Sequence, residues 1–184
     1  CNMTHRGATG ADARDGDGAG VMTGMPDAFL RREVSIDFDF ELPPVGEYAC
    51  GNLFFHSRDD QARAEHIQIF EKISDKLGLR VLGWREVPVD SSILGPASVA
   101  VNQDTQPFIV LGDYYGWTSK KSENNGAFDE ALFDRQLYVL RKHATHRIGL
   151  SNWFYICSLS PSNIVYKGQL SPVQVYNYYH DLNN

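Results

Sequence analysis

The sequence predicts a mixed α/β domain of the α+β kind, in an arrangement that suits two packed sheets. Three observations carry this expectation. Two long segments, Asp59–Leu77 and Glu130–Ile148, place apolar residues at helical spacing. Runs of β-branched and aromatic residues at Gly46–His56, Leu79–Pro88 and Gln106–Leu111 read as strands. Strands also follow one another around turn residues, as at Ser160-Pro-Ser-Asn163, instead of alternating strictly with helices, which argues against an all-parallel sheet.

In chain order, Val21–Gly24 reads as a strand. Pro26–Glu33 reads as a short helix opened by proline, whose fixed φ suits a first turn and whose missing N–H is no loss there. Ser35–Pro44 is acidic and apolar by turns, and Pro43-Pro44 imposes an extended connection. Gly46–His56 is an aromatic-rich strand. Asp59-Asp60 opens a helix whose Ile67, Phe70, Ile73 and Leu77 share a face, with Gly78 as its C-cap. Leu79–Pro88 is the next strand. Asp90–Gln106 reads as a loop around Gly95-Pro96, and Gln106–Leu111 as a strand. Trp117–Asp129 is polar enough to be a surface insertion. Glu130–Ile148 is the strongest helix, with Phe133, Leu137, Leu140, Ala144 and Ile148 on one face and Arg135, Arg141, Lys142 and Arg147 on the other. Asn152–Ser160 and Asn163–Gly168 are expected to form a hairpin. Ser171-Pro172 then starts a final helix through Tyr179.

At 184 residues the chain suits one domain, or most of one. Seventeen basic against 23 acidic residues give a net charge of −6, so the phosphate attraction behind nucleic-acid binding is not globally available. No apolar run approaches the roughly 18 residues of a membrane span. Three scattered cysteines, Cys1, Cys50 and Cys157, suit a reducing compartment and lack zinc or iron–sulfur spacing; the latter two read as small hydrophobes in buried strands. The absence of methionine at position 1 is most simply explained if this is a piece of a longer protein.

The segment His5–Gly20 is dense in glycine and charge, which marks a backbone that turns sharply or approaches something closely. Its Gly16-x-Gly18-x-Gly20 spacing leads into a strand, not a helix, and no Gly-Lys-Ser/Thr follows, so neither a dinucleotide fingerprint nor a P-loop fits. Asp12, Asp15 and Asp17 do not match a calcium loop. His143 and His146 share a helical face but lack an intervening glutamate and a third ligand, so no metal site is expected.

Several strings together resemble the glutaminase domain of glutamate synthases, which are class II, or N-terminal-nucleophile, glutamine amidotransferases. They are Asn2-Met-Thr-His-Arg-Gly-Ala-Thr-Gly-Ala-Asp12, Gly16-Asp-Gly-Ala-Gly20, Leu79-Arg-Val-Leu-Gly-Trp-Arg-Glu86, Gln136-Leu-Tyr-Val-Leu-Arg-Lys142, Asn152-Trp-Phe-Tyr-Ile-Cys-Ser-Leu159 and Ile164-Val-Tyr-Lys-Gly-Gln-Leu170. They occur in order along essentially the whole chain, with wording most similar to fungal enzymes that use a reduced nicotinamide. The resemblance implies a four-layer αββα sandwich, incomplete here. It also implies an N-terminal cysteine that attacks the side-chain amide of L-glutamine, and ammonia that passes to 2-oxoglutarate for reductive glutamate synthesis.

The family's Cys-Gly-x-Gly-Phe start is missing, since Cys1 is followed by Asn2-Met3. Its His-Ser-Arg-x-Ser-Thr string does not occur, and that segment and the Asn-Gly pair of the oxyanion hole are expected just beyond Asn184. Residues 1–184 are therefore expected to be a partial domain, with nucleophile and oxyanion hole outside it and no activity in isolation. The Arg-Gly pair that lies beside the nucleophile in this family maps to Arg6 and Gly7, which are expected to be substrate-binding; Gly16–Gly20 is assigned to tight strand packing and Lys167-Gly168 to a turn. No cofactor is expected on this segment, whereas the parent would use FMN, an iron–sulfur cluster, FAD and NAD(P)H. Expected partners are L-glutamine and the remaining domains of the same polypeptide, in a homo-oligomer, with no nucleic acid and no membrane. A cytoplasmic location is expected, with mitochondrion or plastid left open. Two rival readings are a non-catalytic interaction module using the aromatic strands, and a stand-alone hydrolase using Cys1 as nucleophile.

Overall fold

Alternation along two strands decides the architecture. In β2 (Tyr48–His56), Tyr48 and Cys50 enter one apolar cluster while Ala49, Leu53 and Phe55 enter another. In β4 (Thr105–Tyr114), Ile109 and Leu111 side with the first cluster and Val110 with the second. Successive strand residues point to opposite faces, so the sheet built on these strands is buried on both sides. The computed structural model describes residues 12, 14–56, 58–102, 105–114, 128–149 and 153–183.

That sheet has the order β3-β4-β2-β5 and is antiparallel throughout, with β3 spanning Leu79–Glu86 and β5 Tyr155–Ile156. A register shift between Val81 and Gly83 reverses the parity of β3. Leu79 and Val81 join the second cluster before it and Trp84 joins after it, which leaves Arg85 facing the first.

The second cluster is closed by α2 (Asp60–Lys76) and α4 (Glu130–Ile148), through Phe70 of the former and Phe133, Leu137, Leu140, Ala144 and Ile148 of the latter. Each helix begins on an aspartate cap: Asp59, as its sequence predicts, accepts from the Ala62 amide at 2.8 Å, and Asp129 accepts from the Leu132 amide at 2.9 Å. Gly78, at φ 75°, ends α2 in the left-handed region that disfavours other residues.

The first cluster is closed by α1 (Asp27–Asp37), by a ribbon of β1 (Ala19–Gly24) paired antiparallel with β6 (Asn163–Gly168), and by α5 (Pro172–Tyr178). Ile164 and Tyr166 of the ribbon share this core with Leu30 and Val34 of α1 and with Val175 and Tyr178 of α5. Two sheets thus meet across one core with helices outside the larger. The ribbon's other face, where Met22 is 68% exposed, carries no layer among the described residues. This is a sandwich short of a layer, as the resemblance implies.

A buried charge cluster ties the far side of this core. Arg85 makes two bonds to Asp181, at 2.8 and 3.0 Å, and one to Glu33 at 2.9 Å, and lies over the Phe29 ring. Asp27 accepts from Tyr48 Oη at 2.8 Å and from Arg31 Nε at 2.9 Å, while Arg31 also holds the carbonyls of Leu42 and Pro43.

Three expectations need correction. The first helix does not stop at Glu33 but runs to Asp37, because Val34 is buried one turn after Leu30. Asp90–Gln106 is not a loop. It holds a 3-10 turn at Ser91–Ile93 and α3 at Pro96–Asn102, whose amides are capped by a residue far away in sequence. The C-terminal strands do not form a hairpin. Tyr155 and Ile156 pair with Phe54 and Leu53 of β2, whereas Asn163–Gly168 pairs with β1. The chain between them runs beside β2, where Cys50 and Ser160 exchange backbone bonds at 3.1 and 3.0 Å, and so passes from one sheet to the other. Cys157 is buried but lies just beyond β5. The insertion expected at Trp117–Asp129 lies outside the described residues up to position 127.

Candidate functional site

The glycine-rich opening is held at three points. A tight turn comes first: Asp12 accepts from the Arg14 amide at 2.9 Å and from its guanidinium at 2.9 and 3.1 Å, and the Asp15 amide donates to the Asp12 carbonyl. The Arg14 guanidinium bound to Asp12 holds that carboxyl down at about 2. Asp15 then reaches α3, accepting from the Ser98 amide at 3.0 Å and the Ala97 amide at 3.3 Å. It does for that helix what an N-cap does, from outside it. Finally Gln174 of α5 donates its Nε2 to the carbonyls of Arg14, at 2.8 Å, and Ile93, at 3.0 Å. Gly16 passes so close to the Leu170–Ser171 peptide that a Cβ there would sit 2.1 Å from the Leu170 carbonyl carbon. The tight packing expected of Gly16–Gly20 is therefore present, at the junction of this loop with α5.

Beside that junction opens a cavity of about 490 Å³, at the end of the ribbon where β1 begins and β6 finishes. Asp17 and Gly18 of the loop form one rim, and Lys167 and Tyr155 another; Phe54, Leu170 and Tyr178 are among its apolar walls. Lys167 Nζ lies 2.5 Å from the Tyr155 hydroxyl and 4.7 Å from the centre of its ring. That hydrogen bond raises the lysine's pKa further, so it stays a cation. Tyr179, also in the wall, donates its hydroxyl to the Lys167 carbonyl at 2.8 Å and fixes the strand end. Chemically the cavity offers a cation, a phenol and a carboxylate over an apolar floor, which suits holding a small polar molecule.

A nucleophile is not evident among its described walls. Ser98 Oγ is spent on the Gln169 carbonyl at 2.9 Å. Cys50 and Cys157 lie outside the cavity lining, and burial pushes their thiols up, to about 12 and about 11. Cys50 Sγ rests 3.5 Å from Met25 Sδ, and Cys157 Sγ 3.4 Å from the Val165 carbonyl. Such thiols are inert packing groups and do not make an iron–sulfur ligand set.

The structure separates the carboxylates that the sequence brings close. Asp12 pairs with Arg14, Asp15 caps α3, and Asp17 faces the cavity. His143 and His146 are exposed on α4, and no group of three potential metal ligands occurs among the described residues. Arg6 and Gly7, the expected substrate-binding pair, lie outside the described residues, as does Cys1. Lys167-Gly168, assigned to a turn, is instead the last pair of β6, because each residue has a partner on β1: Gly20 and Ala19. Sequence reasoning thus missed Lys167 and Tyr155, whose meeting depends on two sheets coming together. It also missed Gln174, although the Ser-Pro-x-Gln string that caps α5 carries a signal: in a capping box, the Ser171 hydroxyl accepts from the Gln174 amide and the Gln174 side-chain oxygen from the Ser171 amide.

Comparison with known proteins defines the class. The family model for class II glutamine amidotransferases matches residues 1–184, and the chain belongs to that family. Within it, the chain is 55% identical over 185 residues to the NADH glutamate synthase of Schizosaccharomyces pombe, and 48% identical over 190 residues to that of Saccharomyces cerevisiae. It is 38% identical over 189 residues to the large chain of the NADPH glutamate synthase of Bacillus subtilis. The first two alignments cover 100% of this chain but 8% of each fungal relative, and the third covers 99% and 11%.

Proposed function

We propose that this chain is the central part of the glutaminase domain of a glutamate synthase, which hydrolyses L-glutamine and passes the ammonia to 2-oxoglutarate. The observation that carries the reading is the family match along residues 1–184, joined to 55% identity with a fungal NADH glutamate synthase. On this reading the reacting cysteine and the oxyanion hole come from parts of the polypeptide outside this chain. The chain supplies Arg6 and Gly7 to the substrate side, and its Asp17, Gly18, Tyr155 and Lys167 line the cavity described above. FMN, an iron–sulfur cluster, FAD and NAD(P)H belong to the remaining domains, in a homo-oligomeric cytoplasmic enzyme.

Two measurements test the reading. The isolated 184-residue chain is expected to release no ammonia from glutamine, and turnover by it would falsify the placement of the nucleophile elsewhere. In the full-length polypeptide, Arg6→Ala is expected to lower glutamine-dependent glutamate formation by about 10- to 100-fold, the range in which lost positioning shows. Synthesis from added ammonia should be unchanged. Equal loss of both activities would remove Arg6 from the glutamine side.

A further inference from the structure

Two side chains of opposite charge line the cavity and do not join each other. Asp17 stands on one rim and Lys167 on another, and neither is in an ion pair among the described residues. A carboxylate and an ammonium held apart across a cavity complement a molecule that carries both charges. The lysine is also fixed in advance. Its Nζ is hydrogen-bonded to the Tyr155 hydroxyl at 2.5 Å and lies 4.7 Å from the centre of that ring, while Tyr179 holds its carbonyl. A cation already held in place loses little freedom when it binds a ligand. Because the Tyr155 hydroxyl accepts from Lys167, its own proton is left to donate.

A third charge comes from α4. That helix packs against β5, the edge strand that carries Tyr155. The hydrogen bond to Tyr155 raises the pKa of Lys167, and the charge of Arg141 acts against it, so the guanidinium stands near the ammonium. Cys157 feels both cations: burial raises its pKa, and the charges of Lys167 and Arg141 oppose the rise. Arg141 is exposed and is likewise in no ion pair among the described residues. Neighbouring cations repel one another, and a second carboxylate relieves the repulsion.

We propose that the mouth of this cavity binds an amino dicarboxylate, with one carboxylate on Lys167 and Tyr155, the other on Arg141, the ammonium on Asp17, and the carbon chain against Phe54 and Leu170. On the glutaminase reading, from which the identity of the ligand follows, that molecule is the product, L-glutamate. L-Glutamine has an amide in place of the second carboxylate, so the cavity favours product over substrate and makes glutamate an inhibitor of the reaction that forms it.

The test is equilibrium dialysis of labelled L-glutamate against the full-length polypeptide. Saturable binding is expected, and Lys167→Met and Arg141→Met should each weaken it by about tenfold or more, the worth of a charge-assisted hydrogen bond. Glutarate, which lacks the ammonium, should bind the unaltered protein more weakly than glutamate, and Asp17→Asn should abolish that preference. Arg141→Met should likewise abolish the preference for glutamate over glutamine. Arg141 lies on an exposed helical face, so its variant keeps the test decisive even if Lys167→Met loosens the end of β6. Unchanged binding in both cation variants overturns the proposal. Displacement of glutamate by an equal concentration of inorganic phosphate also overturns it, because it marks a general anion patch. Ammonia release from glutamine is measured on the same protein. Its absence overturns the glutaminase reading and leaves the bound dicarboxylate standing, whereas release by a protein that binds no glutamate overturns the proposal alone.

Discussion

Arg85 ties β3 to Glu33 of α1 and to Asp181. Its guanidinium is buried, and although burial alone would lower its pKa, the bonds and charges of Asp181 and Glu33 outweigh that and raise it. Removing one member of such a pair leaves a buried charge without compensation. Arg85→Met is expected to cost about 3–5 kcal/mol in urea unfolding, and Arg85→Met/Asp181→Leu to regain much of it. An equal loss in the double variant would refute that account. The thiols give a pH signature. Cys50 and Cys157 are buried neutral, with pKa values raised above the ordinary 9.0. Their contribution to stability is complete below pH 9 and is lost as pH rises through the folded-state values, because the unfolded chain ionises first. The melting temperature should therefore decline above pH 9, and less so in Cys50→Ala/Cys157→Ala. Peptide mapping should find neither thiol alkylated in the native protein at pH 8.

Elements announced themselves wherever their signals were local. The faces of α2 and α4, the Asp59 start of α2 and the Gly78 stop were all readable, because each depends on residues within a turn or two. Elements completed by distant residues were not. α3 looked like loop because its cap, Asp15, is 83 residues from Ser98. The supposed hairpin at Ser160–Asn163 failed because each strand found a better partner in a different sheet, and adjacency in sequence does not decide that. The cavity was illegible for the same reason, since its rim comes from the loop before β1 and from β5 and β6 together. Glycine density in Gly16–Gly20 did point to close packing, and the structure shows which glycine bears it. Gly16→Ala must displace the Leu170–Ser171 backbone and is expected to cost at least about 2 kcal/mol. Gly24→Ala, with nothing within 4 Å of its Cβ, should be close to neutral. Comparable melting temperatures for the two would contradict the close-approach argument. Ser171→Ala removes half of the α5 capping box and should cost about 1 kcal/mol by thermal unfolding.

At the scale of the molecule, the ribbon and the glycine junction depend on contacts between the two ends of the chain. β1 pairs with β6, and the bond from Gln174 to Arg14 spans 160 residues. Such closures carry a large entropy cost before any contact rewards it, so they form late. Chains released before β6 should therefore lack the ribbon altogether, and limited proteolysis of a version ending at Ile148 should cleave first around Gly16–Gly24. Protection there equal to that of the intact chain would show that the ribbon does not hold the loop. For a nascent chain, this geometry sets a timetable. β1 leaves the ribosome early with its edge unpaired and must wait, through the synthesis of both large helices, for the strand that covers it. Throughout that interval it is a natural target for chaperones.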